Sequence, residues 1–340
     1  MLLPAIWGEH RMQGAWIISR PLSAVGGKGV EDVPEGGTAP VMQLSDFAAC
    51  LEAIAARSPD PLAMWRAGEA MHLADMGGLG CALALAPTLG AAIKALQRCF
   101  GAMQSASAVA FEVEDDRASF SYRILDNDIW PRRADSELTL GVVAGIIRRF
   151  APDAERVCSL AFEHEPGAAR TSFATHTAGP VRMSETNIIS FPARLLDRGA
   201  EPVSVSDTSR AFRDAVQALG AQIRADWLRQ PTSHRVLHTL MSRIGRDPID
   251  QDAVASHLGV SRRTLRRQLD TEGTSFHELT EICRCNVGHA LLVRSELPMI
   301  EIAMRLGYSD HTAFSRAFSR WFGASPRELR KAGSAVRVTT

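Results

Sequence analysis

The last hundred residues repeat themselves, and a short internal repeat of this kind leaves few folds open. Ala255-Ser-His-Leu-Gly259-Val260 returns as Ala303-Met-Arg-Leu-Gly307-Tyr308, at an offset of 48. After the turn the offset becomes 49: Ser261 matches Asp310, Leu265 matches Phe314, Arg267 matches Arg316 and Leu269 matches Phe318. One residue added to the second turn accounts for the change. The spacing is that of a helix-turn-helix. A small residue, Ala255 or Ala303, lets two helices approach closely. Glycine tolerates the left-handed backbone that ends the first helix. Ser261 and Asp310 are good N-caps for the second, and Leu265/Leu269 and Phe314/Phe318 are i,i+4 pairs that pin it inward.

The outward face follows from helix geometry. At about 100° per residue, positions two away from a buried one lie roughly opposite it. Arg263 and Arg267 therefore oppose Leu265, with Arg262 and Arg266 on a flank. In the second copy Thr312 and Arg316 oppose Phe314, with His311 and Arg320 nearby. Arginine on an exposed recognition helix grips guanine O6 and N7 with two hydrogen bonds. Between the copies, Phe276–Arg294 reads as one long helix, and Pro298 suits the first turn of the next. Such a spacer is expected to set the two recognition helices in successive major grooves, about 34 Å apart.

Charge points the same way. The chain has 340 residues and a formal net charge of zero, but residues 231–340 hold 16 basic and 11 acidic side chains. Fifteen of those 16 are arginine, and the first 230 residues hold 22 basic and 27 acidic. A basic tail behind an acidic body suits an anionic partner such as nucleic acid.

The body is patterned differently. Residues 1–40, broken by Gly26-Gly27, Gly29, Pro34 and Gly36-Gly37, are expected to be loosely packed. Helical spacing starts near Leu44 and returns at Leu89–Phe100. The runs from Val109 and from Ala118 flank Asp115-Asp116-Arg117 and read as a hairpin. Leu138–Phe150 reads as a buried helix, with further strands at 157–162 and 188–191. The expected fold is α+β over 41–206, helices on a mostly antiparallel sheet. A helical linker, also a candidate dimerisation helix, follows at 207–231, then an all-α domain with two helix-turn-helix units at 232–331, then a tail at 332–340. Tyr122, Trp130, Arg132, Arg133 and Glu137 form a polar-aromatic cluster beside a strand-to-helix junction, and are the candidates for contact with a small molecule.

Other chemistry finds little support. Cys283 and Cys285 sit two apart on a helix, so their thiols point about 200° apart and do not share a metal. His234 and His238 are at i,i+4 without a third ligand nearby. Gly-Gly-Lys28-Gly lacks the spacing of a phosphate-binding loop, and no nucleophile-elbow or zinc-protease sequence occurs. No catalytic residue, cofactor or metal is assigned. With six scattered cysteines and no run of about 18 apolar residues, the chain is expected to be cytoplasmic, with reduced thiols and no membrane span. An enzyme tethered to DNA and a ligand-independent DNA-bending protein are the alternative readings.

Residues 232–331 resemble the DNA-binding domain of the AraC/XylS family of bacterial transcription regulators. The signature is Ile302-Ala303, Gly307-Tyr308, Phe314-Ser-Arg-Ala-Phe318, Phe322-Gly-Ala-Ser-Pro326 and Leu329-Arg330, with Tyr308 where phenylalanine is commoner. The body is similar to the arabinose-binding-type sensor of one branch, which includes ornithine-utilisation regulators, through Ser58-Pro-Asp-Pro-Leu62, Leu85-Ala-Pro-Thr-Leu89, Ile129-Trp-Pro-Arg132 and Thr177-Ala-Gly-Pro-Val181. The resemblance implies promoter DNA, a small organic effector, a homodimer, RNA polymerase as a partner, and usually activation.

Overall fold

The computed structural model describes residues 15–18, 41–152, 158–199 and 205–337. They fall into two compact units. One gathers residues between 15 and 124 and between 128 and 226; the other holds Leu125–Asn127 and the chain from Trp227 onward.

In the first unit, β1 (Trp16–Ile18) pairs antiparallel with β2 (Val41–Gln43). Four helices follow: α1 (Leu44–Ala55), α2 (Ala63–Ala70), α3 (Gly77–Ala84) and α4 (Leu89–Cys99). Thr88 caps α4, its hydroxyl accepting the Ala91 amide at 3.1 Å. Next come the hairpin β3 (Ser107–Glu114) and β4 (Arg117–Ile124), then α5 (Arg133–Phe150), β5 (Ser159–Phe162), α6 (Ala169–Thr177), β6 (Val181–Met183) and β7 (Asn187–Pro192). The sheet order is β3-β4-β7-β5-β6, and among the described residues β5–β6 is its one parallel pair. The long α7 (Val205–Arg229) leaves this unit after Asp226.

Strand alternation builds the core. Ala118, Phe120, Tyr122 and Ile124 of β4 point inward together, with Ile189 opposite Phe120 and Asn187 opposite Tyr122. Helices α2 and α5 meet backbone to backbone: a Cβ on Gly141 would lie 2.2 Å from the Trp65 carbonyl oxygen, and one on Gly68 2.2 Å from that of Leu138.

The second unit contains α8 (Thr232–Arg243), α9 (Gln251–His257), α10 (Arg262–Thr271), α11 (Phe276–Arg294), α12 (Met299–Arg305), α13 (His311–Phe322) and α14 (Pro326–Arg337). The duplication runs further than the turn. Gly273, Ser275 and Glu278 recur as Gly323, Ser325 and Glu328, an offset of 50. Ser275 and Glu278 cap α11 reciprocally, and Ser325 and Glu328 do the same for α14. Helices α11 and α14 are thus equivalent elements.

The structure corrects several boundaries. Trp16–Ile18 is a strand inside the segment expected to be loose; three residues are too few to show alternation. Residues 1–14 and 19–40 lie outside the described residues. Helix α5 starts at Arg133, five residues earlier than its apolar spacing indicates, because its first turn is polar yet buried. Pro298 is the N-cap of α12 rather than a residue of its first turn, and α14 continues to Arg337 into the expected tail. The unanticipated helices α2, α3 and α6 are short, and α3 begins Gly77-Gly78-Leu-Gly80, a sequence of poor helix propensity.

Candidate functional site

The two turns are built by the same hydrogen bonds. In the first copy the Gly259 amide donates to the Ser256 carbonyl at 3.1 Å and the Val260 amide to Ala255 at 3.0 Å. In the second, Gly307 donates to Met304 at 3.0 Å and Tyr308 to Ala303 at 2.9 Å. Gly259 and Gly307 have φ of +69° and +76°, so the left-handed position is real in both. Ala255 and Ala303 are buried beneath them. Ser261 then caps α10 through the Thr264 amide at 3.1 Å, and Asp310 caps α13 through the amides of Thr312 and Ala313 at 2.8 Å. Those bonds, the Ala313 amide foremost and the Ser309 hydroxyl next, hold the Asp310 carboxyl below its usual range. Ser309 is the added residue of the second turn.

Leu265, Leu269, Phe314 and Phe318 are fully buried. On the far sides of the same helices Arg262, Arg263, Arg266, Arg267, His311, Thr312, Arg316 and Arg320 are all exposed. They are not equally available. Arg262 pairs with Asp252 at 3.2 Å, Arg266 lies 4.0 Å from Asp270, and Arg320 binds Glu281 at 2.8 Å. Among the described residues the guanidinium groups of Arg263, Arg267 and Arg316 form no ion pair.

Helix α11 braces the second copy. Arg284 donates to the Leu306 carbonyl at 3.0 Å, lies over the Tyr308 ring at 5.0 Å and sits 3.6 Å from Glu281, which in turn holds Arg320. Gly288 lets the helix close in: a Cβ there would be 3.0 Å from the Leu306 side chain. The first copy is braced by Glu272, just past α10, whose carboxylate accepts the Thr232 and Ser233 amides at 2.7 and 2.8 Å. Burial acts to raise the Glu272 pKa, but those bonds outweigh it and the net shift is downward. Cys283 and Cys285 are both buried on α11, and burial pushes the Cys285 thiol up to about 12. His234 and His238 are on α8, and His238 packs edge-on against Trp227, ring centres 5.0 Å apart. Among the described residues no group of three His, Cys, Asp or Glu could hold a metal.

Each of the five candidates in the first unit has its own contacts among the described residues. Trp130 is exposed, and Arg132, wholly buried, lies 5.9 Å from its ring. Arg132 binds Glu163 through both carboxylate oxygens, at 2.8 and 2.7 Å. Burial alone would raise Glu163, yet the Arg132 charge and its hydrogen bonds bring it below the usual carboxylate range. Half-exposed Arg133 reaches buried Glu137 at 2.7 Å, and buried His164 sits 3.3 Å from the same carboxylate. Tyr122 is fully buried; it donates to Asp135 at 2.7 Å and accepts from Gln104 at 2.7 Å.

A cavity of about 30 Å³ opens beside that last chain of bonds. Met71, Met76, Leu96, Phe100 and Met103 contribute to its apolar wall, and Gln104, Asp135 and Thr139 are its polar residues. None of the five sequence candidates lines it, though Tyr122 joins its two buried polar groups. Burial pushes Asp135 up to about 7, against the Tyr122 hydrogen bond and the Arg132 charge, which pull it down. Gln104 escapes sequence reading because it lies in a short irregular stretch with no period, and Asp135 because the polar run 132–137 ahead of the apolar part of α5 reads as a loop. The signal that was present is two acids, Asp135 and Glu137, at the start of a helix.

A family model described as a helix-turn-helix domain matches residues 254–332. A second, described as the N-terminal arabinose-binding domain of AraC transcription regulators, matches residues 34–200. The ornithine utilization regulator of Pseudomonas aeruginosa is 31% identical over 147 residues, 42% of this chain and 41% of that protein. The regulator VirS of Mycobacterium tuberculosis is 26% identical over 296 residues, 86% of this chain and 85% of that one. The transcriptional activator RhaS of Escherichia coli is 38% identical over 86 residues, 25% of this chain and 31% of that one. The chain spans 41% of the length of the first curated relatives it matches. The matched domains and relatives are transcription regulators, not enzymes. Among the described residues no helix is long and apolar enough to cross a membrane. With a regulator-type sensor model on its first unit and the duplicated helix-turn-helix on its second, the chain belongs to the AraC family, in the branch with an arabinose-binding-type N-terminal domain.

Proposed function

We propose that this chain binds promoter DNA with the exposed faces of α10 and α13 and alters transcription when its N-terminal domain holds a small organic effector. Arg263 and Arg267 enter one major groove; Thr312 and Arg316 enter the next. Arg262, Arg266, His311 and Arg320 flank them and meet phosphates, exchanging weak exposed ion pairs for contacts with the duplex. The protein works in the cytoplasm as a homodimer and meets RNA polymerase there. Activation is the favoured sign, supported by the likeness to a named activator. The effector acts by favouring one of two conformational populations, limited by its differential affinity for them.

The observation that carries this reading is the turn built twice with the same hydrogen bonds, each time with an arginine at the matched outward position. The test is footprinting of the full chain on duplexes it selects from a random pool, at several salt concentrations. Two protected major-groove patches about 34 Å apart are expected. Affinity should fall on the order of a thousandfold between about 50 and 200 mM salt, as counterions are released. A salt-independent affinity, or a single protected patch, would contradict the assignment.

A further inference from the structure

We infer that the cavity beside Asp135 is the effector site, and that its ligand is a small, largely apolar molecule ending in one hydrogen-bond donor, best a primary amine. This rests on the reading that the N-terminal domain binds an effector, and it names where and what.

Asp135 is 1% exposed and lines the cavity. Among the described residues its carboxylate takes one side-chain hydrogen bond, on Oδ2 from Tyr122. A buried carboxylate with one oxygen unserved is costly, and a matching donor removes that cost. The polarity of the neighbouring bonds is fixed in one direction: Gln104 donates to Tyr122 and Tyr122 donates to Asp135. The chain therefore ends in an acceptor at the cavity. Burial raises the pKa of that acceptor to about 7, and an ammonium supplies the missing donor together with a positive charge placed directly on the carboxylate.

The rest of the wall selects an apolar body. Three of its residues are methionines, Met71, Met76 and Met103, whose unbranched side chains repack around guests of differing shape. The present volume, about 30 Å³, holds a couple of waters, so a larger guest enters by moving them. The family description speaks of arabinose, but a pentose presents hydroxyls around its whole ring. This cavity offers three polar side chains at its lining, and one of those, Gln104, is already committed to Tyr122 and Ser107. A sugar would leave most of its hydroxyls unpaired there.

The test uses the full chain, with n-hexylamine, n-hexanol, n-hexyl methyl ether and L-arabinose as probes. Binding is read by calorimetry and by the rise in unfolding temperature that a native-state ligand produces. The amine should bind most tightly, the alcohol next, and the ether and the sugar at least tenfold more weakly than the amine. Asp135→Asn should cost the amine at least tenfold and the alcohol much less. Val142→Phe fills the cavity from its half-buried wall and should abolish binding of both. Equal binding of amine and ether, tighter binding of arabinose, or unchanged binding in Val142→Phe would overturn the proposal. DNA affinity measured with a metabolite extract separates this from the broader reading. If an extract changes DNA affinity equally in the wild type and in Val142→Phe, the effector reading stands and the cavity is wrong. If no extract or probe changes it in either, the effector reading itself fails.

Discussion

The two units differ in where their most distinctive charges sit. The first buries Arg132, Asp135 and Glu137 and serves each inside the fold, Arg132 by Glu163, Asp135 by Tyr122 and Glu137 by Arg133. The second keeps its recognition-helix arginines exposed and leaves Arg263, Arg267 and Arg316 without ion pairs among the described residues. A buried charge is expensive unless served, so it specifies a unique interior and a small guest. An exposed guanidinium costs little to hold and is available to an extended polyanion. The comparison yields a rule: substitutions of charges in the first unit should change stability, and those in the second should change binding.

The largest effect should come from Arg132→Met. It strands Glu163 in the interior, so the first unit's unfolding free energy should drop by about 3–5 kcal/mol. Adding Glu163→Gln should recover much of that, and the transition of the second unit should not move. Denaturant unfolding followed by domain-specific probes checks this, and an unchanged transition would break the rule.

Next comes pH. The Asp135 pKa in the folded chain, about 7, is above its unfolded value near 4. Between those values the folded state holds a proton that the unfolded state releases, so stability falls as pH rises from about 4 to 7 and levels off above. Asp135→Asn should flatten that slope and be more stable at pH 8, on the order of 3 kcal/mol. Parallel pH profiles of the two proteins would contradict it. The groups that bear on Asp135, Tyr122, Arg132, Glu163 and Glu52, remain in both proteins.

Smaller effects test the second unit. Ser261→Ala removes the cap of α10 and should cost about 1 kcal/mol of stability, read by hydrogen exchange at the Thr264 amide. Asp252→Ala frees Arg262 and should change stability by less than about 1 kcal/mol. It should also strengthen DNA binding slightly, as measured by fluorescence anisotropy.

Legibility in the sequence divides along the same line. The second unit is periodic and duplicated, so Leu265, Phe314 and the glycines between paired helices announce both their elements and their outward faces. The extension of the repeat to Ser275/Glu278 and Ser325/Glu328 was readable too, as two capping boxes at an offset of 50. In the first unit the hairpin and the strands β5 and β7 were legible as strand-like runs, while β2 and β6, three residues each, were not. Nor was the unit's polar interior: Gln104, Asp135, Glu163 and Asn187 come from four separate stretches and meet only through the sheet. No local period marks them. The first turn of α5 hides Asp135 for a further reason, because polar residues ahead of an apolar run read as a loop.

The central claim is that one recognition frame meets DNA twice. It is tested most directly by comparing the wild type, Arg267→Ala and Arg316→Ala for affinity to the selected duplex and for unfolding free energy, in one buffer. Each substitution should weaken specific binding by about 1–3 kcal/mol, tenfold or more, relax sequence preference at its own groove, and leave the unfolding transition in place. Undiminished affinity in both variants, with the fold intact, would show that these faces do not read the duplex.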